Sequence, residues 1–143
     1  MDRPRILLAD DHAEFAALVA RLVETEFELL QTFADGQAIV DGARTIAADV
    51  LLLDITMPGM SGIEAARQLR NADGAAKVVF LTVHADEDYL RSALAAGALG
   101  YVVKDRLATD LIPALWAAMA GRQFISPSLA GDVESFDSSG ACS

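Results

Sequence analysis

Cysteine is nearly absent: Cys142 is the sole one, so the chain can form no intramolecular disulfide and no cysteine-cluster metal site. Long apolar runs are also missing. None approaches the ~18 residues that a bilayer-spanning helix needs. Basic charge is scarce, with 11 Lys and Arg against 21 Asp and Glu, and the net charge of −10 repels nucleic-acid phosphates and anionic lipid surfaces. The chain on its own is therefore expected to bind neither DNA nor a membrane. Its first residues, Met1-Asp2-Arg3-Pro4, lead straight into an apolar run, without the basic region and long apolar stretch of a secretory leader, so a cytoplasmic location is expected. Internal repeats and low-complexity blocks are lacking as well. What remains is 143 residues with a hydrophobic share of 53%, enough for one ordinary folded domain with a real core and too short for two.

The apolar pattern switches repeatedly between short strand-like runs and helical spacing. The runs are Ile6 to Ala9, Leu29 to Phe33, Val50 to Leu53, Val78 to Leu81 and Leu99 to Val103. Several are apolar at every position, as expected for parallel strands covered on both faces. Between them, Phe15, Leu18, Val19, Leu22 and Val23 recur at i, i+3 and i+4, as do Leu111, Leu115, Trp116 and Met119 further on. Strand and helix in alternation predict an α/β fold: a doubly wound five-stranded parallel sheet with helices on both faces. Its ligand crevice should lie at the carboxyl ends of the strands. Pro113 falls inside the last helical pattern, which predicts that this helix starts near Asp110 or kinks there. After Gly121 the pattern decays, so residues 1–122 are expected to form the domain and 123–143 a mobile acidic tail or linker.

The carboxyl ends of the predicted strands carry Asp10 and Asp11, Asp54, Thr82 and Lys104. Carboxylates crowded together raise one another's pKa unless a cation neutralises them. Mg²⁺ suits such a place, because it takes one or two carboxylates and completes its octahedron with water and phosphate oxygens. One carboxylate can then act as nucleophile toward a phosphoryl group, with the ammonium of Lys104 balancing charge and the hydroxyl of Thr82 donating a hydrogen bond. Each residue alone has a plainer use. Asp11 could cap the first helix, Thr82 could be an ordinary β-branched strand residue, and Lys104 could be a solvated charge. Lys104 is, however, one of two lysines, and it ends the apolar run Tyr101-Val102-Val103. The plain uses do not account for all five at strand ends.

With these residues placed, the sequence resembles the receiver domains of two-component signalling. The resemblance is carried by Ile6-Leu7-Leu8-Ala9-Asp10-Asp11-His12, Asp54-Ile55-Thr56-Met57-Pro58-Gly59-Met60-Ser61-Gly62, Leu81-Thr82 and Gly100-Tyr101-Val102-Val103-Lys104, in that order. It implies that Asp54 accepts the phosphoryl group, that Asp11, Asp54 and the Thr56 backbone carbonyl hold Mg²⁺, and that Asp10 assists through water. It further implies that Thr82 and Tyr101 form a switch pair, that Lys104 contacts a phosphoryl oxygen, and that Val83 and His84 flank access to it. The implied donor is a sensor histidine kinase or a phosphotransfer protein. The implied response is a change in the fourth helix, fifth strand and fifth helix, roughly Asp86 to Gly121, with homodimerisation as one outcome. Such a chain is no enzyme beyond taking up and hydrolysing its own phosphoryl group.

Ala96-Gly97-Ala98-Leu99-Gly100-Tyr101, Lys104-Asp105 and Phe124-Ile125-Ser126-Pro127 look most like the LuxR/NarL type. Members of that type usually continue into a helix-turn-helix domain, so the implied output is transcription through a longer chain. The alternative is a receiver acting alone through protein contacts. Val83 is bulkier than the small residue common at that place, and Asp105 stands where many receivers have proline, so no cis peptide is expected there. A haloacid-dehalogenase-like phosphatase would need an acid two residues after its aspartate nucleophile, where Thr56 stands. A flavodoxin-like cofactor module would want a phosphate loop after the first strand, where Asp10-Asp11-His12 would repel it.

Overall fold

The computed structural model describes residues 3–70, 76–83 and 87–126, with the side chain of Glu87 left aside. Its strands are β1 (Arg5–Ala9), β2 (Glu28–Phe33), β3 (Val50–Asp54), β4 (Lys77–Thr82), β5 (Gly100–Val103) and β6 (Phe124–Ile125). Its helices are α1 (Ala13–Val23), α2 (Gly36–Thr45), α3 (Gly62–Arg70), α4 (Glu87–Ala95) and α5 (Leu107–Met119). All neighbouring strands pair in parallel, in the order β2-β1-β3-β4-β5-β6. The order reverses between β1 and β3, which opens a crevice at their carboxyl ends.

The continuous apolar strands divide their residues between two cores by the period-two alternation of a strand. Ile6, Leu8, Val50, Leu52, Val79 and Leu81 face Val19 and Val23 of α1 and Leu111 and Leu115 of α5. Leu7, Ala9, Leu51, Leu53, Phe80 and Tyr101 face Ile39 of α2, Ile63 and Ala66 of α3 and Leu90 of α4. Strand β2 lies at the sheet edge and is mostly exposed. Helix α2 starts where Asp35 accepts a 2.8 Å hydrogen bond from the Ala38 amide, and α3 where Ser61 accepts one of 3.1 Å from Glu64.

The structure extends the expected sheet by one strand. Residues 123–143 were expected as a mobile acidic tail or linker. Instead the Phe124 amide donates to the Leu99 carbonyl at 2.8 Å, and the Ser126 amide to the Tyr101 carbonyl at 3.0 Å. The physical reason is that β5 would otherwise present an open edge with unpaired backbone groups, and the chain leaving α5 covers it. Residues 127–143 lie outside the described residues. For α5 the expectation was a start near Asp110 or a kink there; the helix begins at Leu107 and carries Pro113 as an internal residue. Pro113 and Thr109, whose carbonyl the proline ring frees, are both exposed, so water can serve that carbonyl. No peptide bond of the described residues is cis, the Lys104–Asp105 bond included.

Candidate phosphoryl and cation site

Parallel register brings the strand ends level. Ala9 pairs with Leu53, Asp54 with Leu81 and Thr82 with Val103, so the residues at or just beyond those ends meet along one rim of the sheet. The Asp10 amide donates to the Phe33 carbonyl at 2.9 Å, which fixes the chain as it leaves β1. The turn after Asp54 is equally constrained. Gly59 adopts a φ of +77°, and a Cβ on Gly62 would lie 2.2 Å from the Asp54 carbonyl oxygen. No larger residue than glycine fits at 62 without moving the chain that carries Asp54.

Lys104 sits at the centre of the cluster. Its Nζ donates to Asp10 Oδ2 at 2.8 Å and to Asp54 Oδ2 at 3.0 Å, and it lies 4.3 Å from the centre of the Phe15 ring. Lys104, Asp10 and Asp54 are all buried, so these charges interact with little screening by water. The other oxygen of Asp54 accepts a 3.1 Å hydrogen bond from the Thr56 amide. Burial pushes the Asp54 carboxyl above its ordinary value of 3.8 and the Asp10 charge adds to that push, while the hydrogen bond and charge of Lys104 and the Thr56 amide oppose it.

Asp11 does not cap α1. The capping position is His12, and no side chain closes that helix end, so the Asp11 carboxylate is free to turn to the cluster. His12 Nδ1 stands 3.3 Å from Asp10 Oδ1 and 3.3 Å from Asp11 Oδ1. Among the described residues, Asp10, Asp11, His12 and Asp54 each offer a ligand atom, all within 4.8 Å of one another. The donor set suits a divalent cation: oxygen atoms from three carboxylates, two of them buried, gathered around one lysine ammonium.

The structure thus brings Asp10, Asp11, Asp54 and Lys104 together. Thr82 is buried at the end of β4, one residue beyond the partner of Asp54 and opposite the residue that precedes Lys104. The ring of Tyr101 is fully buried in β5, two residues below the rim, and Val83 is exposed beside Thr82. Thr56 is exposed on the turn. His84 lies outside the described residues. Two members were not assigned from sequence: His12, and Phe15 beneath the Lys104 ammonium. The Asp-Asp-His run was a signal for the first, since it places the imidazole one residue from the acids. The second follows only from the direction of α1.

A third feature lies just below the rim. Ser126 is fully buried; its Oγ accepts from the Val103 amide at 3.0 Å and donates to Asp110 Oδ2 at 2.8 Å. One hydroxyl so ties β6 and α5 to the residue directly before Lys104.

The chain resembles known proteins in sequence and in fold. The family model of the response regulator receiver domain matches residues 6–115. The transcriptional regulatory protein DegU of Brevibacillus brevis is 37% identical over 125 residues, which make up 86% of this chain and 53% of DegU. The response regulator UvrY of Escherichia coli K12 is 31% identical over 127 residues, 87% of this chain and 58% of UvrY. The chain therefore spans little more than half the length of these curated relatives. The crystal structure of a two-component response regulator of the LuxR family from Aurantimonas sp. SI85-9A1 superposes with a TM-score of 0.89 at 33% identity, covering 96% of this chain and 99% of that one. Receiver domains are signalling domains, and no helix among the described residues is long and apolar enough to cross a membrane. The family match over most of the chain, the identity to these regulators and the shared fold agree, and the chain belongs to the response regulator receiver domain family, with homologues among the LuxR/NarL-type regulators.

Proposed function

We propose that Asp54 accepts a phosphoryl group from a sensor histidine kinase or a phosphotransfer protein in the cytoplasm, and that the charge it gains resets the α4–β5–α5 face. The observation that carries this reading is the buried Asp54 carboxylate, held between the Lys104 ammonium and the Thr56 amide and facing Asp10 and Asp11. An oxygen of Asp54 forms the new bond to phosphorus as the bond from phosphorus to the donor breaks, and the donor departs with that bond's electron pair. Mg²⁺ would be held by Asp10, Asp11, Asp54 and the Thr56 carbonyl, where it supplies the charge that the transferring oxygens need. Lys104 is placed to meet one phosphoryl oxygen and Thr82 another. The resident pull of Lys104 on Asp10 and Asp54 keeps the acids in place until then.

A phosphoryl group brings a charge of about −2 to the rim. Moving a two-state element from 1:99 to 99:1 needs about 5.5 kcal/mol, whereas one charge-assisted hydrogen bond supplies ~1.5–3 kcal/mol. Lys104, Thr82 and the turn amides must share that task, with Tyr101 as the buried ring that follows Thr82. Val83, and His84 beyond it, set access to the phosphoryl group. The residues through Ser126, β6 included, act as the receiver, and the stretch beyond them leads to the output, which is control of transcription when the chain is part of a longer regulator. Phosphorylation-dependent homodimerisation is the form of response that fits such an output. Acetyl phosphate with Mg²⁺ should add one phosphoryl group to the intact mass of the protein, and EDTA should prevent it. An unchanged mass with acetyl phosphate, together with no response to beryllofluoride, would overturn the proposal.

A further inference from the structure

We infer that His12 is a nitrogen donor to the cation held by the acidic cluster, and that it turns the site's preference from Mg²⁺ toward Mn²⁺. The inference rests on the reading of this cluster as a cation site and names the ion that the site selects. Nδ1 of His12 stands 3.3 Å from Asp10 Oδ1, 3.3 Å from Asp11 Oδ1 and 3.9 Å from Asp54 Oδ2. An octahedral ion with bonds of about 2.1 Å sets adjacent donors about 3.0 Å apart and opposite donors about 4.2 Å apart. The imidazole nitrogen keeps near those separations from three carboxylates at once, so closing on one ion requires only small movements.

The placing of the ring is not a by-product of packing. The His12 side chain is 63% exposed, so burial does not hold it over the acids. Two local contacts do. The His12 amide donates to Asp10 Oδ1 at 2.9 Å, and the ring meets Phe15 edge to face with centroids 6.4 Å apart. Lys104 and His12 also divide the Asp10 carboxylate between them, the lysine on Oδ2 and the imidazole on Oδ1. The side of the cluster that faces His12 is therefore the side left for a cation. A neutral imidazole presents a lone pair at Nδ1. Carboxylate and water donors alone suit Mg²⁺, and a nitrogen donor favours transition metals over it, because imidazole is the softer ligand and Mg²⁺ favours oxygen.

The test is electron spin-echo spectroscopy of Mn²⁺ bound to the whole chain, with Mn²⁺ and Mg²⁺ titrations beside it. The wild-type protein should show nitrogen modulation from a directly bound imidazole. His12→Gln, which keeps a polar side chain and an oxygen donor, should lose the modulation while still binding Mn²⁺. The ratio of Mn²⁺ to Mg²⁺ affinity should fall several-fold in that variant. His12→Asn serves as a second variant with the same expectation, and thermal unfolding checks that both fold. Nitrogen modulation that persists in His12→Gln, which leaves His84 as the remaining histidine, would overturn the inference, as would Mn²⁺ binding with no nitrogen modulation in the wild type. A wild-type protein that binds neither ion would overturn the cation site itself, and so the two failures are told apart.

Discussion

Replacing Lys104 by alanine should unbalance the rim more than any other single change. Its ammonium is buried and hydrogen-bonded to Asp10 and Asp54, whose accepting oxygens both lie within 3.0 Å of the one nitrogen. Without it two buried carboxylates face each other with no counter-charge. Two unit charges about 5 Å apart repel by about 3 kcal/mol at an effective dielectric of about 20. Removing one partner of a buried ion pair costs ~3–5 kcal/mol by measurement in other proteins, which agrees in size. Lys104→Ala is therefore expected to lose about 3–5 kcal/mol of unfolding free energy in EDTA, read by urea titration. The same reasoning fixes how cations act. Lys104 already neutralises Asp10 and Asp54, so its loss should tighten divalent-cation binding at least tenfold, about 1.4 kcal/mol, and added Mg²⁺ should restore part of the lost stability. Calorimetric titration and urea unfolding with and without Mg²⁺ would measure both. If Lys104→Ala were as stable as the wild type in EDTA, or gained no more from Mg²⁺, the lysine would not be the counter-charge of this cluster.

Three further outcomes follow from the same geometry. Burial and the Asp10 charge raise the folded pKa of Asp54 above 3.8, so between 3.8 and that folded value the folded protein keeps a proton that the unfolded chain has lost. Stability contributed by this group falls as pH rises through that window. Asp54→Asn should then be more stable than the wild type at neutral pH in EDTA, with the gap closing under acid; equal stability at neutral pH would contradict the shift. Val83 is 63% exposed and packs little, so Val83→Ala should change stability by under about 0.5 kcal/mol while shortening the lifetime of the phosphorylated protein. Identical decay rates in the two proteins would remove its part in access. Ser126→Ala deletes a hydroxyl that serves the Val103 amide and a buried Asp110 oxygen, and should cost ~1–3 kcal/mol in urea unfolding and speed amide exchange at Val103. Unchanged exchange there would show that β6 is not held through this side chain.

The residues that were legible in the sequence are those whose position follows from periodicity alone. Asp10, Asp54, Thr82 and Lys104 could be placed because an apolar run ending in a polar residue marks a strand end, and parallel strands bring such ends to one rim. Asp11 was ambiguous because a helix cap and a cluster acid share the same local sequence. Only the path of the backbone at His12 decides between them. The orientation of His12 was hidden for the same reason: it depends on the amide bond to Asp10 and on the Phe15 ring, neither of which leaves a pattern. Strand β6 has two residues, too few for any alternation, and exists because the edge of β5 is there to receive it. Pro113 argued for a later start to α5 or a kink in it; the helix starts earlier, at Leu107, and the burial of Leu107, Leu111 and Leu115 accommodates an exposed proline inside it.

The central claim, that Asp54 is the phosphoryl acceptor, is tested most directly by trapping the bond where it forms. The protein would be treated with acetyl phosphate and Mg²⁺, reduced with borohydride, which converts an aspartyl phosphate to homoserine, and digested for peptide sequencing by mass. The account predicts homoserine at position 54 and at no other aspartate, and none in protein treated with EDTA. Homoserine at Asp10 or Asp11, or phosphorylation that persists in Asp54→Asn, would contradict it.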